Sequence, residues 1–167
     1  MADIQIAPAT PAHLPAILDQ TRATFQEHRA RNPKAFPDKT YRMLESRHRA
    51  ALLGDAKGSI TFAATAHDAS LAGFVLLRSF TRAAMIYDIG TLPAARRSGV
   101  GSALLAHALT VAKDRRWEML FASVWDGNEA SHRLFQKAGF AASLPMLSPL
   151  KRFFPNQRLT AYSYKLG

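Results

Sequence analysis

The sequence predicts a mixed α/β fold of about six to seven β-strands flanked by about four helices. Two observations support this prediction. Apolar residues recur at helical spacing in two segments before residue 55, and from Ser59 onward the pattern changes to the alternation typical of strands. Farther along, the apolar run 83–92 leads through a glycine loop into the amphipathic run 100–112, which is typical of a strand-to-helix connection in an α/β protein.

The first elements follow in order along the chain. A short strand is predicted over residues 4–7. Thr10 and Pro11 then mark a helix start, because threonine caps helices and proline fits the first helical position. Apolar residues recur at helical spacing to about His28, and two prolines interrupt the pattern before a second helix over residues 40–53.

Alternation marks the next strands. Residues 60–66 and 71–78 are predicted to form a hairpin, because turn-forming residues lie between them. Residues 83–92 form the next long strand. After the glycine loop and its helix, the short apolar run 119–124 is predicted to be a central strand, parallel to 83–92 and reached by a right-handed crossover.

The C-terminal part is predicted to hold one more helix and one more strand. Asn128 is expected to cap a short helix, and Gly139 is expected to end it, since glycine is favoured just after a helix. Residues 140–156 contain three prolines and are predicted to be loop-rich. Residues 159–166 alternate and are predicted to form a terminal strand.

The composition limits the class of protein. At 167 residues the chain fits one domain, residues 1–167, with a sizeable core. No apolar run approaches the ~18 residues that cross a bilayer, and the N-terminus does not resemble a secretory signal, so no membrane partner and a cytoplasmic location are expected. Cysteine is absent, and His67, His107 and His132 lack the spacing of metal ligands, so no metal is expected.

The charge balance is strongly basic. The chain carries 22 Lys and Arg residues against 12 Asp and Glu residues, a formal net charge of +10. The basic residues are scattered, without a run of five or more and without interleaved aromatic residues, which disfavours nucleic-acid binding. A basic surface that attracts a polyanionic cofactor is the preferred interpretation.

The loop Arg96-Arg97-Ser98-Gly99-Val100-Gly101 is the strongest chemical signal. Two glycines at the mouth of a helix allow the backbone to approach a ligand without Cβ interference, and several N–H groups there lack acceptors. Such a nest binds anions, phosphate above all. The same pattern also occurs as a simple turn, so the loop alone leaves both alternatives open.

Three blocks of the sequence, taken together, resemble the GNAT superfamily of N-acetyltransferases. Arg96, Gly99 and Gly101 match that family's acetyl-CoA motif, with a proline three residues upstream of the arginine. Residues 128–140 resemble its Asn-x-x-Ala-x-x-Leu-Tyr-x-x-x-Gly-Phe helix, except that serine replaces the alanine and Phe135 replaces the tyrosine. Residues 71–75 resemble its third strand. The likeness covers nearly the whole chain.

The resemblance implies an acetyl-CoA site. The diphosphate would lie on the backbone N–H groups after Arg96, and the pantetheine arm would pair with the end of strand 83–92, where the family has a bulge. Gly90 suits that bulge or a close ligand approach, or it accommodates packing. The cofactor contacts implied in this way are Ile89, Gly90, Thr91, Arg96, Arg97, Ser98, Gly99, Val100, Gly101, Ser102, Asn128 and Phe135.

Acetyl transfer to an amine also needs groups that take and donate protons. A primary amine is mostly ammonium at neutral pH, so a base must take a proton, and Asp88 is the candidate. Asp88 would equally well pair with an arginine or cap a loop. The backbone N–H groups of Thr91 and Leu92 are the candidate oxyanion donors. Phe135 cannot protonate the departing thiolate, which either leaves unassisted or takes a proton from Ser131, Tyr162 or Tyr164.

The acceptor pocket of this family is built by the first two helices, which implies Phe25, Glu27, His28 and residues 32–36 as substrate contacts. The function expected is acetyl-CoA-dependent transfer of an acetyl group to the primary amine of a small molecule or peptide, directly within a ternary complex. The alternative is a non-catalytic CoA-binding regulatory module. A homodimer is left open, because many members of the family dimerise.

Overall fold

A computed structural model describes residues 4–31, 38–54, 57–143 and 159–167. Within these ranges the chain forms seven strands and four helices longer than one turn, as the sequence predicts. In chain order they are β1 Gln5–Pro8, α1 Leu14–Arg31, α2 Asp38–Leu53, β2 Ser59–Thr65, β3 Leu71–Ser79, β4 Ala83–Thr91, α3 Val100–Asp114, β5 Met119–Trp125, α4 Glu129–Lys137, β6 Ala141–Ser143 and β7 Leu159–Lys165.

The described strands form one mixed sheet in the order β1-β2-β3-β4-β5-β7-β6. β4 and β5 run parallel, and every other neighbouring pair is antiparallel. The helix α3 connects β4 to β5, which confirms the predicted crossover between parallel strands. None of the helices in the described ranges is both long and apolar enough to span a membrane.

The sheet buries side chains on both faces because neighbouring residues of a strand point to opposite sides. Phe74 packs with the buried residues of α1 and α2, such as Ile17 and Leu52. Its neighbour Val75 packs with those of α3, such as Leu104. The two helical layers therefore cover opposite faces of the sheet, with β3 in contact with both.

Three details differ from the prediction. α1 extends to Arg31, three residues beyond the predicted end, and α2 begins at Asp38, two residues early. A short strand, β6, lies at the start of the stretch predicted to be loop-rich and pairs with β7. Its three residues are too few for alternation to mark them. The prolines of that stretch lie outside the described residues.

The parallel strands β4 and β5 separate part-way along their length. They pair only from Ala83 with Met119 to Ile86 with Ala122. At that point the register of β4 against β3 shifts, so that Tyr87 is an extra, bulged residue. The predicted bulge at Gly90 and Thr91 is therefore wrong, since both residues pair in regular register with β3. Beyond Tyr87 the two strands diverge and open a cleft between them.

Candidate functional site

Two adjoining cavities occupy the cleft between β4 and β5. The larger, of about 650 Å³, runs along the glycine loop, the end of β4 and the starts of α3 and α4. The smaller, of about 110 Å³, lies between α1, α2, β4 and β5. The two share wall residues and so form one continuous site; the shared residues are Thr24, His28, Ile89, Gly90, Asn128 and Ser131.

The backbone of the glycine loop is shaped as an anion nest. Arg97 and Gly99 both have positive φ, of 64° and 91°, which curls the chain before α3. The first N–H groups of a helix have no partner within it, and Gly99 offers no side chain to cap them. The N–H groups of Val100, Gly101 and Ser102 therefore face the larger cavity with the positive end of the helix dipole.

The glycines of the loop leave room for a ligand. A Cβ atom added at Gly99 would have no neighbour within 4 Å, and one added at Gly101 would meet only ordinary contacts, the nearest being Thr91 Oγ1 at 3.4 Å. Packing within the protein therefore does not require Gly101. Ser98 is absent from the cavity walls, and its hydroxyl donates to the carbonyl of Ala95 at 2.7 Å, which stabilises the loop.

Gly90 has a packing role. A Cβ atom there would lie 2.7 Å from Cζ of Phe74, well inside van der Waals contact. Of the alternatives for this glycine, the structure supports accommodation of packing, at a position that also lines both cavities.

At the end of β4, some backbone N–H groups bond to β3 and others point into the cleft. The N–H of Leu92 donates to Ala72 O at 2.9 Å, so Leu92, expected as an oxyanion donor, is engaged in the sheet. Hydrogen-bonded pairs alternate along an antiparallel ladder, so Gly90 also bonds to β3. The N–H groups of Ile89 and Thr91 point the other way, into the cleft that β5 has left.

At the start of α4, Asn128 caps the helix as predicted, since its Oδ1 accepts from Ser131 N–H at 3.2 Å. With that oxygen occupied, the Nδ2 group of Asn128 is the donor available to the cavities. Phe135 is only 2% exposed, lines the smaller cavity and stacks on Tyr162 with ring centroids 5.7 Å apart.

The three hydroxyls considered as proton donors have different surroundings. Ser131 lies on the walls of both cavities. Tyr162 and Tyr164 are absent from those walls, and Tyr162 Oη lies 2.9 Å from His132 Nδ1 instead. Burial raises the pKa of Tyr162, which opposes its ionisation. Ser131 is therefore the hydroxyl of the three that faces the cleft.

Asp88 is the acidic residue of the smaller cavity, and it is held by two side chains. Its Oδ2 atom accepts from Thr21 Oγ1 at 3.1 Å and lies 2.9 Å from His48 Nε2. Its side chain is 19% exposed, whereas that of His48 is fully buried. The partner of Asp88 is thus a histidine, where the sequence suggested an arginine or a loop.

Sequence reasoning missed His48. The one signal was a polar residue on the apolar side of the second predicted helix, and that signal does not identify a partner 40 positions away. The His48 ring meets Phe74 edge-on at 5.3 Å between centroids, and its Nδ1 atom has no hydrogen-bond partner among the described residues. The packing of α2 on β3 and β4 therefore fixes the ring.

The residues expected in the acceptor pocket divide between the two cavities. Phe25 lines the smaller cavity and packs against Tyr41. His28 lines both, and burial lowers its pKa. Glu27 differs from the expectation: it lies on the larger cavity, where its carboxylate pairs with Arg31 at 2.7 Å and Arg96 at 3.8 Å. Residues 32–36 lie outside the described residues.

The larger cavity is electropositive. Basic side chains outnumber the two carboxylates, those of Glu27 and Glu129, on its walls; they belong to Arg31, Arg96, Arg97, Arg133 and Lys137. Such a wall attracts a polyanion and holds it beside the backbone nest. The site thus has a backbone nest with basic walls at one end and the carboxylate of Asp88 at the other.

Known proteins similar in sequence to this chain are acetyltransferases. A family model described as the acetyltransferase (GNAT) family matches residues 21–140. A curated protein named streptothricin acetyltransferase, from Streptomyces lavendulae, is 32% identical over 90 residues, which are 53% of this chain and 48% of that protein. The match therefore spans about half the length of this curated relative.

Solved structures share the fold. An acetyltransferase of the GNAT family from Staphylococcus aureus Mu50 superimposes with a TM-score of 0.77 at 14% identity, covering 99% of this chain and 100% of that one. The PaiA N-acetyltransferase from Thermoplasma acidophilum, solved in complex with coenzyme A, superimposes with a TM-score of 0.74 at 16% identity, covering 98% and 99%. At such identities the likeness concerns the fold alone.

Proposed function

Because the chain belongs to the GNAT family of acetyltransferases, we propose that it is an acetyl-CoA-dependent N-acetyltransferase that acts on a primary amine within a ternary complex. One observation carries the proposal: an anion nest and an acidic side chain lie at opposite ends of one continuous cleft. The donor therefore enters from the glycine loop and the acceptor amine from the side of α1 and α2.

The larger cavity fits CoA. The N–H groups of residues 97–102 would hold the diphosphate, with the basic wall residues around it. The carbonyl of Ile89 and the N–H of Thr91 would pair with the pantetheine arm, and Asn128 Nδ2 would donate to one of its amide carbonyls. Bound acetyl-CoA supplies an activated acetyl thioester, and the cleft directs that group toward Asp88.

Asp88 would bind the acceptor ammonium group and take a proton from it. Its Oδ1 atom accepts no hydrogen bond from the described residues, because Thr21 and His48 both contact Oδ2. A carboxylate held at one oxygen presents the other in a fixed direction, which favours a productive approach of the nitrogen. The reaction forms one C–N bond, breaks one C–S bond and removes two protons from the nitrogen, one of which ends on the thiol.

The remaining groups would stabilise charge. The N–H of Ile89, the residue after Asp88, points into the cleft and would donate to the acetyl carbonyl oxygen as that oxygen becomes negative. Phe135 has no proton to give to the departing sulfur. A thiol with a pKa of about 8.5 leaves readily as thiolate. Of Ser131, Tyr162 and Tyr164, Ser131 is the one on the cavity walls and would be the proton donor.

The second candidate is a CoA-binding module without transferase activity, and the observation that favours it is Phe135 at the position of the family's tyrosine. The two candidates make different predictions for the same purified protein. Calorimetry with acetyl-CoA tests the cofactor site, and release of free CoA thiol in the presence of amines tests the transfer.

The amine panel includes streptothricin, after the named relative, together with simple alkylamines, amino acids and peptides. Binding of acetyl-CoA with thiol release on at least one amine supports the enzyme. Binding without release on any amine supports the module. Absence of acetyl-CoA binding contradicts both.

A further inference from the structure

We infer that the acceptor is a compact primary monoamine with an uncharged body, whose ammonium group pairs with Asp88 in the smaller cavity. This inference rests on the proposed function and names its substrate class. It is carried by four features of the smaller cavity: one carboxylate, the way that carboxylate is held, the lack of a second charge on the other walls described, and the size.

The smaller cavity offers a single negative charge. Asp88 is the one acidic residue among the described residues that line it. The segments 32–37 and 144–158, outside the described ranges, contain no aspartate or glutamate in sequence. The acidic residues that remain outside those ranges are Asp3, at the N-terminus, and Asp55, in the connection from α2 to β2. Among the described residues, one ammonium group finds a partner at this end of the cleft, and a second does not.

His48 and Thr21 hold one oxygen of Asp88. The fully buried His48 ring has its Nε2 atom 2.9 Å from Oδ2, and the same oxygen accepts from Thr21 Oγ1 at 3.1 Å. A carboxylate only accepts hydrogen bonds, so Nε2 is the donor. The Oδ1 atom accepts no hydrogen bond from the described residues and is left for the ammonium group.

The other walls described carry no second charge. His28 is the one basic side chain among them, and burial lowers its pKa, which favours the neutral ring. A carboxylate on the acceptor would meet no cation among the described lining residues and would lose its hydration. These walls combine large apolar side chains with hydroxyl groups; the former include Phe25, Leu44, Phe74 and Trp125, and the latter Thr21, Thr24, Thr40, Ser123 and Ser131.

The volume of the smaller cavity and the net charge of the chain also favour a small monoamine. A cavity of about 150 Å³ holds benzene, so one of about 110 Å³ encloses an aminomethyl group and a small hydrocarbon body. The chain itself carries a net charge of +10, which repels a polycation while it attracts CoA.

Three amines of similar length separate the alternatives: isopentylamine, leucine, which adds a carboxylate, and 1,5-diaminopentane, which adds a second ammonium group. Each is tested for binding to the full chain saturated with CoA, by calorimetry, and for acetyl transfer, by thiol release. The variant is Asp88→Asn. Its matched control is Asp19→Asn, which removes one exposed carboxylate from α1 with the same change of charge.

We expect isopentylamine to exceed both other amines in affinity and in kcat/KM by about tenfold or more. Asp88→Asn should remove most of that affinity, and Asp19→Asn should keep it. Equal or better use of leucine or 1,5-diaminopentane, or no effect of Asp88→Asn, overturns the inference while the proposed function stands. If isopentylamine binds through Asp88 but no amine is acetylated, the inference stands and the proposed function fails. If isopentylamine does not bind, the inference fails.

Discussion

His48 Nε2 lies 2.9 Å from Asp88 Oδ2, so a fully buried histidine of α2 holds the acidic residue of the cleft in β4. Thr21 of α1 donates to the same oxygen at 3.1 Å. The two helices that cover this face of the sheet thus each supply one donor to one carboxylate oxygen. This arrangement makes Asp88 part of the packing of the helices as well as of the site.

Replacement of His48 by phenylalanine should keep the ring packing on Phe74 and remove the hydrogen bond to Asp88. We expect kcat to fall by about tenfold, because Asp88 then keeps only the Thr21 donor and loses its fixed orientation. The change in KM for acetyl-CoA should be small. Steady-state kinetics with both substrates varied measures this split.

His107→Phe is the matched control for that variant. His107 also meets a phenylalanine of the sheet edge-on, Phe62, with ring centroids 4.6 Å apart, but it packs on the opposite face from Asp88. Its replacement should leave kcat unchanged. Equal losses of kcat in the two variants would mean that His48 acts through general stability.

Gly101→Asp should abolish most acetyl-CoA binding with the fold kept. The new Cβ meets only ordinary contacts in the protein, so folding tolerates it, but the carboxylate enters the anion nest. We expect Kd to rise by about a hundredfold, measured by calorimetry. Ala106→Asp places the same charge on an exposed position of α3 and should leave Kd close to that of the wild type. Unchanged affinity in Gly101→Asp would show that acetyl-CoA binds elsewhere.

Phe135→Tyr restores the hydroxyl that the family's helix carries at this position. Turnover should stay unchanged, or rise if protonation of the departing thiolate limits the rate. The hydroxyl also enters a buried aromatic cluster, so the free energy of unfolding should fall by about 1–3 kcal/mol if it finds no partner.

Phe140→Tyr, in the same cluster but off the cavity walls, tests the stability effect alone. A large loss of turnover in Phe135→Tyr alone would identify Phe135 as a packing residue of the acceptor site.

His107 should make the stability of the protein depend on pH. Burial lowers the pKa of His107, so in the folded state this group stays neutral where the unfolded chain already takes up a proton. The folded state is therefore fully stabilised above the unfolded pKa of about 6.5, and stability falls as the pH drops below that value. His28 acts in the same direction, because burial lowers its pKa too.

Urea unfolding at pH 7.5 and pH 5.5 measures this dependence. His107→Leu should reduce the loss of stability between the two pH values. His67→Leu, at an exposed position in the turn between β2 and β3, should leave the loss as in the wild type. A pH dependence that is identical in all three proteins would exclude His107 as its source.

The parts of the site that sequence predicts are those formed by neighbouring residues. The glycine loop and the cap at Asn128 depend on contacts within a few positions, and both lie where the pattern places them. The contact of His48 with Asp88 depends on how α2 packs on the sheet, which no local pattern records. The bulge at Tyr87 depends in the same way on the register between two strands, so a motif match placed it three residues too late.

Gly90 and Phe74 supply a final test, because the Phe74 ring contacts both Gly90 and the His48 ring. Gly90→Ala puts a Cβ atom 2.7 Å from the Phe74 ring, so that ring must move. We expect the free energy of unfolding to fall by about 1–3 kcal/mol. We also expect kcat to fall, because Phe74 contacts His48 and His48 holds Asp88.

Phe74→Leu should be destabilising alone, because it leaves a void beside His48. In the double variant the smaller side chain leaves room for the new Cβ atom, so the two losses should sum to less than their separate values. Chemical denaturation of the four proteins gives this coupling directly. Strict additivity would show that the Gly90 substitution does not destabilise the protein through the Phe74 ring.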